Sequence, residues 1–335
     1  MLLSRHTRRR EFIGLLGGAA AWPLAARAQQ GERMRRVGLL VGTYGQTDRE
    51  GQDRIAVFLD TFRKLGWSDG RNVRIDYRWG GGDADRSKTF AEELVRSAPD
   101  VIVAVNNPTL AELQRLTSTI PIVFAQVSDP VGSGFVAGIA RPGGNITGFQ
   151  NFEATMGGKW LGVLKEAAPN MSRAALLFGS DVAVNVAYLR AAEAVAPSLG
   201  VQVTAIDIGA DTEIERTIST FASQPDGGLV AFPHPKTTAN RASIIILAAR
   251  HRLPAIYPFR FFAIEGGLMS YGIDQIDQWR GTATYVDRIL RGEKPGDLPV
   301  QAPTKFELVI NLKTAKATGL HIPPAFPLRA DEVIE

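Results

Sequence analysis

Short hydroxyl, amide, carboxylate and aromatic side chains recur in this sequence where apolar runs end. Thr43-Tyr44 follows the run at 37–41. Asn106-Asn107-Pro108-Thr109 follows 101–105, and Gln126-Val127-Ser128-Asp129 follows 122–124. Later in the chain, Ser180-Asp181 with Asn185, Pro233-His234 and Tyr257-Pro258-Phe259-Arg260 hold equivalent places, and Ser270 to Asp274 comes after them. This set suits a zwitterion such as an amino acid. Thr109 and Ser128 can help present helix N-terminal N–H groups to a carboxylate. Asp129 or Asp274 can accept from an ammonium group, with Tyr44 or Tyr257 covering an apolar body. Asp181, Asn107, Thr43 and His234 complete the candidate binding set. Each group also has a structural use. Thr109 and Asp274 suit helix caps. Asp129-Pro130 and Asn106-Asn107-Pro108 carry turn chemistry. Tyr257 fits a core, and His234, between two prolines, fits a loop.

Catalytic patterns are missing. Only His234, His251 and His321 follow the N-terminal segment, and none has a second ligand-type residue at zinc spacing. Gly132-Ser133-Gly134 lacks the five-residue nucleophile elbow. No P-loop occurs, and no dinucleotide glycine fingerprint follows the first strand. Gly143-Gly144-Asn145 reads as a turn. With no cysteine there is no disulfide, thiolate metal site or thiol nucleophile. The expectation is a binding protein, not an enzyme, with no cofactor, metal or catalytic residue.

The elements that would position these loops follow from length and periodicity. The chain has 335 residues, 45% apolar and 21% charged, which suggests about two domains. Its net charge of +4 invites a nucleic-acid reading, but the excess sits in residues 1–28, where five arginines oppose Glu11. The remainder carries 33 basic and 33 acidic side chains, so no overall field favours polyphosphate. Thr7-Arg8-Arg9-Arg10-Glu11-Phe12-Ile13, a mildly apolar stretch and Ala26-Arg27-Ala28 look like a twin-arginine export signal cleaved near Ala28. Export of this kind implies a bacterial, periplasmic protein.

Apolar runs then alternate with helical spacings in two similar halves. Leu65-Gly66 matches Leu199-Gly200, Pro99-Asp100 matches Pro225-Asp226, and Ile120-Pro121 matches Leu253-Pro254. Alternating strands and helices predict parallel sheets covered on both faces. The fold class is therefore α/β, with two Rossmann-like doubly wound lobes joined by a hinge. Ligands of such sheets bind outside the carboxyl ends of the strands, so two facing lobes make a cleft from the loops named above.

Further residues carry a family resemblance. They are Arg36-Val37-Gly38-Leu39-Leu40, Gly66-Trp67 with Gly70-Arg71-Asn72-Val73, Ile120-Pro121-Ile122-Val123-Phe124, Ser128-Asp129-Pro130-Val131-Gly132, Arg141-Pro142-Gly143-Gly144-Asn145-Ile146-Thr147-Gly148 and Gly266 to Gly272. Together with Leu298-Pro299-Val300-Gln301 and the stretch Asn311 to Ala315, they resemble the ABC-transporter substrate-binding proteins of the tryptophan/tyrosine-binding type. The resemblance spans residues 34–335 and implies a type I periplasmic-binding-protein fold. Its implied lobes are 34–148 with about 275–298, and 149–274 with about 299–335, with Thr147-Gly148-Phe149 as a hinge crossing. It implies a small-molecule ligand, a membrane permease and a separate ATPase as partners, and no nucleic acid. Pocket candidates by match are Thr43, Asn107, Thr109, Ser128, Asp129, Asp181 and Asp274. Unlike the lipoprotein members, this chain has no cysteine after its signal, so a freely diffusing monomer is expected. Alternative readings are a ligand sensor docking on a receptor, or an enzyme on the same fold.

Overall fold

The computed structural model describes residues 33–209 and 213–335, so the export-signal reading at 1–28 lies outside the described residues. Strand β1 (Arg35–Val41) is followed by helix α1 (Arg49–Lys64), β2 (Val73–Trp79), α2 (Ala84–Arg96), β3 (Val101–Val105), α3 (Asn107–Leu116), β4 (Ile122–Val127) and β5 (Ile146–Gln150). These strands form one all-parallel sheet in the order β2-β1-β3-β4-β5. The crossovers divide by face, as the two-residue period of a strand requires. Val37, Leu39 and Val41 pack with Val101, Val103 and Val105 on one side. Leu40, Ile102, Ala104 and Phe124 pack on the other. Helix α1 turns Ile55, Phe58 and Phe62 inward, and Asp48 caps it by accepting from Glu50 N at 2.9 Å and Gly51 N at 3.3 Å.

The second half contains α4 (Met156–Ala167), β6 (Arg173–Phe178), α5 (Ala183–Val195), β7 (Gln202–Asp207), α6 (Ile214–Ala222), β8 (Gly227–Ala231), α7 (Pro235–Ala239), α8 (Arg241–Arg250), β9 (Ala255–Tyr257), α9 (Arg260–Ile264) and β10 (Met269–Ile273). Helix α10 (Gln275–Leu290) returns to the first sheet. Trp279, Ala283, Val286 and Ile289 join the β1 core there, and Trp67 Nε1 donates to Asp287 Oδ1 at 2.7 Å. After residues 299–305, β11 (Phe306–Asn311), α11 (Leu312–Thr318) and β12 (Glu332–Ile334) complete a second sheet ordered β12-β11-β10-β9-β8-β6-β7.

The expectation of wholly parallel sheets needs one correction. β11 runs antiparallel to β10, because the chain re-enters from the first sheet and meets the strand it left by from the opposite end. The stretch 147–149, expected as a hinge crossing, lies within strand β5 and pairs with β4; Phe149 also bridges to Gln301. Gly148 is required in this pairing. Its φ is 154°, and a Cβ would run into the Phe124 backbone.

Candidate functional site

The loops after β1, β3, β4 and β5 of the first sheet face those after β6, β8 and β9 of the second. Between them lies a cavity with about 400 Å³ of empty space, its mouth included. The floor of the first half is built from amides and hydroxyls. Asn106 sits at φ 91°, a strained setting for a residue with a Cβ. Its side chain explains the geometry: Oδ1 accepts from Thr109 N at 2.9 Å, and Nδ2 donates to Thr43 Oγ1 at 3.0 Å. Gly42 lets β1 approach this turn, since a Cβ there would strike Asn106 and Thr109. Gln126, at φ 56°, donates from Nε2 to the Tyr44 hydroxyl at 3.4 Å.

Asn107, the first residue of α3, spends its amide on the backbone of Ser128. Its Nδ2 donates to Ser128 O at 2.8 Å, and its Oδ1 accepts from Ser128 N at 2.9 Å. Asn107 therefore positions Ser128 as well as lining the cavity. Asn151 follows β5 and lines the same wall, 2% exposed. Its Oδ1 is buried without a partner in the protein. A buried amide oxygen left unpaired costs roughly 1–3 kcal/mol, so this one is poised for an outside donor.

The second half contributes Val182, Pro233, His234, Pro235, Thr238 and Phe259. Val182 precedes α5, a helix of 13 residues whose first turn has no side-chain cap. Asn185 joins two loops, accepting from Gly179 N at 3.2 Å and donating to Pro233 O at 3.0 Å. His234 Nδ1 accepts from Lys236 N at 3.1 Å, which places the ring proton on Nε2. Nε2 then donates to Asp181 Oδ1 at 3.1 Å. That hydrogen bond, assisted by the nearby Lys236 charge, holds the Asp181 carboxyl below its ordinary range against the opposing effect of burial.

Charged groups close the rim where the halves meet. Arg241 of α8 pairs with Asp48 at 2.8 Å and with Glu265 at 2.9 Å, and the Arg241 and Asp48 side chains are each 16% exposed. Arg54 is buried, donates to Gln275 Oε1 at 2.5 Å, and pairs with Glu50 at 2.5 Å. Its guanidinium lies 5.3 Å from the Tyr44 ring centre and 5.5 Å from that of Phe261. Arg241 approaches Phe261 at 5.6 Å. Burial pushes the Tyr44 hydroxyl up, opposed by Arg54.

Thr43, Tyr44, Asn107, Ser128 and His234 are thus brought together in the cavity wall, with Asp181 beside His234. Four other candidates lie off this wall. Thr109 lies beneath it, its hydroxyl donating to Val105 O at 2.8 Å. Asp129, at φ 44°, accepts from Gly132 N at 3.0 Å and shapes a turn. Tyr257 is core, its ring stacked on Phe262 at 4.8 Å. Asp274 caps α10 by accepting from Ile276 N at 2.8 Å and borders a separate groove. Asn106 and Phe259 fall in loops whose composition already marked them, and Gln126, marked with them, lies at the end of strand β4. Asn151, Val182 and Thr238 had no signal beyond their place after a strand or beside a helix start. Among the described residues no cluster of three His, Cys, Asp or Glu could hold a metal.

Comparison with known proteins places this geometry. A curated tyrosine-binding protein from Clostridioides difficile is 24% identical over 264 residues, covering 78% of this chain and 75% of its own length. A conserved domain protein from Vibrio cholerae is 26% identical, with a TM-score of 0.81 over 90% of this chain and 100% of that one. The crystal structure of an ABC domain in complex with L-Trp from Streptococcus pneumonia superposes with a TM-score of 0.80 at 24% identity, over 90% and 99% of the two chains. The fold is that of the type I periplasmic binding proteins. The family described as ABC transporter substrate binding protein matches residues 51–334. With most of its length matched, the chain belongs to the ABC transporter substrate-binding proteins.

Proposed function

We propose that this protein captures a small molecule, an amino acid, in the cavity between its two halves and delivers it to an inner-membrane permease driven by a separate ATPase. The lobes are 34–148 with 275–298, and 149–274 with 299–335, and they close about their connections. The protein acts in the periplasm as a monomer after export directed by residues 1–28, and it releases its ligand unaltered. The observation that carries the reading is a cavity lined from both sheets by buried uncharged polar groups, with Asn151 Oδ1 lacking a partner.

The chemistry fits the two ends of an amino acid. An ammonium group supplies donors for Asn151 Oδ1 and the Ser128 hydroxyl. A carboxylate is favoured near the uncapped start of α5. Tyr44 and Phe259 offer apolar faces to the side chain. The curated tyrosine-binding relative and the L-Trp complex support an amino-acid ligand. Groups contacted from both sides favour the closed arrangement, and that differential affinity moves the open–closed equilibrium.

The test is a thermal-shift screen of protein purified from the periplasm against the twenty amino acids, with native mass spectrometry to identify any retained molecule. A ligand that binds only the folded state at 100 times its Kd stabilises by about 2.7 kcal/mol, a shift readily seen. Asn151→Leu is expected to abolish the response while leaving a cooperative melt. No response to any amino acid, or recovery of a chemically altered ligand, would overturn the proposal.

A further inference from the structure

The amino-terminal end of the first sheet lies roughly 20 Å along β1 from the cleft and carries a cluster of arginines. Four guanidinium groups share two carboxylates there. Arg35 Nη1 lies 3.2 Å and Arg33 Nη2 3.9 Å from the same oxygen of Asp100, just before β3. Arg36 Nη2 lies 2.9 Å and Arg74 Nε 3.1 Å from the two oxygens of Asp76 in β2. Strand register brings the two groups together, since Arg36 of β1 is the partner of Arg74 in β2. The carboxylates are recessed and the arginines stand outward. The Asp100 and Asp76 side chains are 13% and 15% exposed, against 76%, 41% and 64% for Arg33, Arg35 and Arg74. In the adjoining turn Asp69 and Arg71 add one charge of each sign, and Asp69 Oδ1 accepts from Ile75 N at 2.9 Å. The face is left with an excess of positive charge.

Its donors are not used up. A guanidinium has five N–H groups, and Arg35 and Arg74 each spend one of them on these carboxylates. Phosphodiester oxygens pair with the remaining donors, two at a time where the fork allows. Met34, between Arg33 and Arg35 in the chain, is 44% exposed and offers an apolar contact beside them. The described chain also begins at this face. Only residues 27–32 separate Arg33 from the apolar stretch 14–26, no more than about 25 Å of extended chain. While that stretch is attached and in a bilayer, this is the face held at the headgroups. From residue 29 on, basic and acidic side chains balance, so attraction to anionic lipid has to come from a face and not from net charge.

We propose that this arginine face docks the protein on an anionic phospholipid surface. Docking at this end leaves the cleft and both of its rims free. Its use in transport, confining the carrier to the membrane that holds its permease, rests on the proposed function; the docking itself does not.

The test sediments mature protein, purified from the periplasm and freed of ligand, with vesicles of phosphatidylcholine alone or of phosphatidylcholine and phosphatidylglycerol in equal parts. At about 0.05 M salt, affinity for the mixed vesicles is expected to be about thirtyfold higher, from two excess charges near the surface. The preference should vanish at about 0.5 M salt. Arg33→Gln with Arg74→Gln is expected to abolish it. That double variant keeps its fold, because Asp100 retains Arg35 and the Arg36 backbone N–H, and Asp76 retains Arg36. Arg33→Lys with Arg74→Lys is expected to bind as the wild type does. Arg216→Gln with Arg250→Gln removes the same charge from exposed pairs of the second half and is also expected to leave binding unchanged. With no amino acid present, failure of the cleft reading leaves these results untouched. Equal sedimentation with both vesicle types, equal loss in the two glutamine variants, or release by inorganic phosphate at the concentration of the vesicle phosphate would overturn the proposal.

Discussion

Asp48 offers a clean way to weigh the contact between the two halves. Its carboxylate does two jobs: Oδ1 caps α1, and Oδ2 accepts from Arg241 across the cleft rim at 2.8 Å. Asp48→Asn keeps the first job, because asparagine caps a helix about as well as aspartate, and removes the charge from the second. At an effective dielectric constant of about 20, unit charges at that separation attract by about 6 kcal/mol. Desolvation and side-chain ordering offset most of this, leaving a net of about 1.4 kcal/mol. Arg241 is not orphaned in the variant, since Glu265 still holds its Nε at 2.9 Å. The loss therefore falls on the closed arrangement alone. A change of 1.4 kcal/mol is tenfold in an equilibrium constant. With the free protein mainly open, ligand affinity falls about tenfold, carried by faster release. Stopped-flow fluorescence with the amino acid identified by screening gives both rate constants. The wild-type affinity should also weaken from 0.05 to about 0.5 M salt, and the variant's much less. An unchanged release rate, or an equal salt dependence in both proteins, would refute the assignment of this pair as a latch.

Helix α4 contains a paired test. A Cβ at Gly157 would collide with the Tyr188 backbone, whereas one at Gly162 meets nothing within 4 Å. Gly157→Ala should therefore cost about 1–3 kcal/mol in a denaturant melt, and Gly162→Ala should gain about 0.5–1 kcal/mol. Asp181 titrates below the ordinary carboxylate value of 3.8, chiefly through its hydrogen bond from His234. A depressed folded-state pKa contributes stability above about pH 4 that is lost as pH falls through the folded value. Thermal melts from pH 5 to 3 should accordingly drop less steeply for Asp181→Asn. Tyr257→Phe removes a buried hydroxyl that has no partner, so stability should hold within about 0.5 kcal/mol or rise, with calorimetric ligand affinity unchanged. A marked fall in affinity would place Tyr257 in the binding site after all.

Local pattern carries far in this chain because most rim loops begin where an apolar strand stops. Val101 to Val105 is fully buried, and the polar residues directly after it line the cavity, so strand ends alone mark Asn106 and Asn107. The matched Pro-Asp and Leu-Gly markers reflect turns at which each half re-enters its sheet. What sequence leaves open is tertiary. Asn107 reads as a ligand group, yet both ends of its amide are consumed by Ser128, 21 residues on. Asp274 reads the same way by type, yet it caps a helix and borders a groove apart from the cleft. Asn151 carries the reverse lesson. Nothing around it in sequence is distinctive, and only burial without a partner sets it apart. The antiparallel β11 depends on where a long return passage delivers the chain, which periodicity does not encode.

The distribution of charge suits a substrate-binding protein that must also release its ligand. The cavity floor holds amides and hydroxyls, while the carboxylates and guanidinium groups of Asp48, Glu50, Arg54, Arg241 and Glu265 pair with one another at the rim. Neutral dipoles can solvate both ends of a zwitterion without leaving a bare charge behind when it departs. A buried carboxylate in their place would be left unpaired on release, at a cost of several kcal/mol, and release would slow accordingly. Placing the Asp48–Arg241 pair where the halves meet instead lets closure be strengthened by a contact the ligand never touches. Affinity and release can then be adjusted at separate residues.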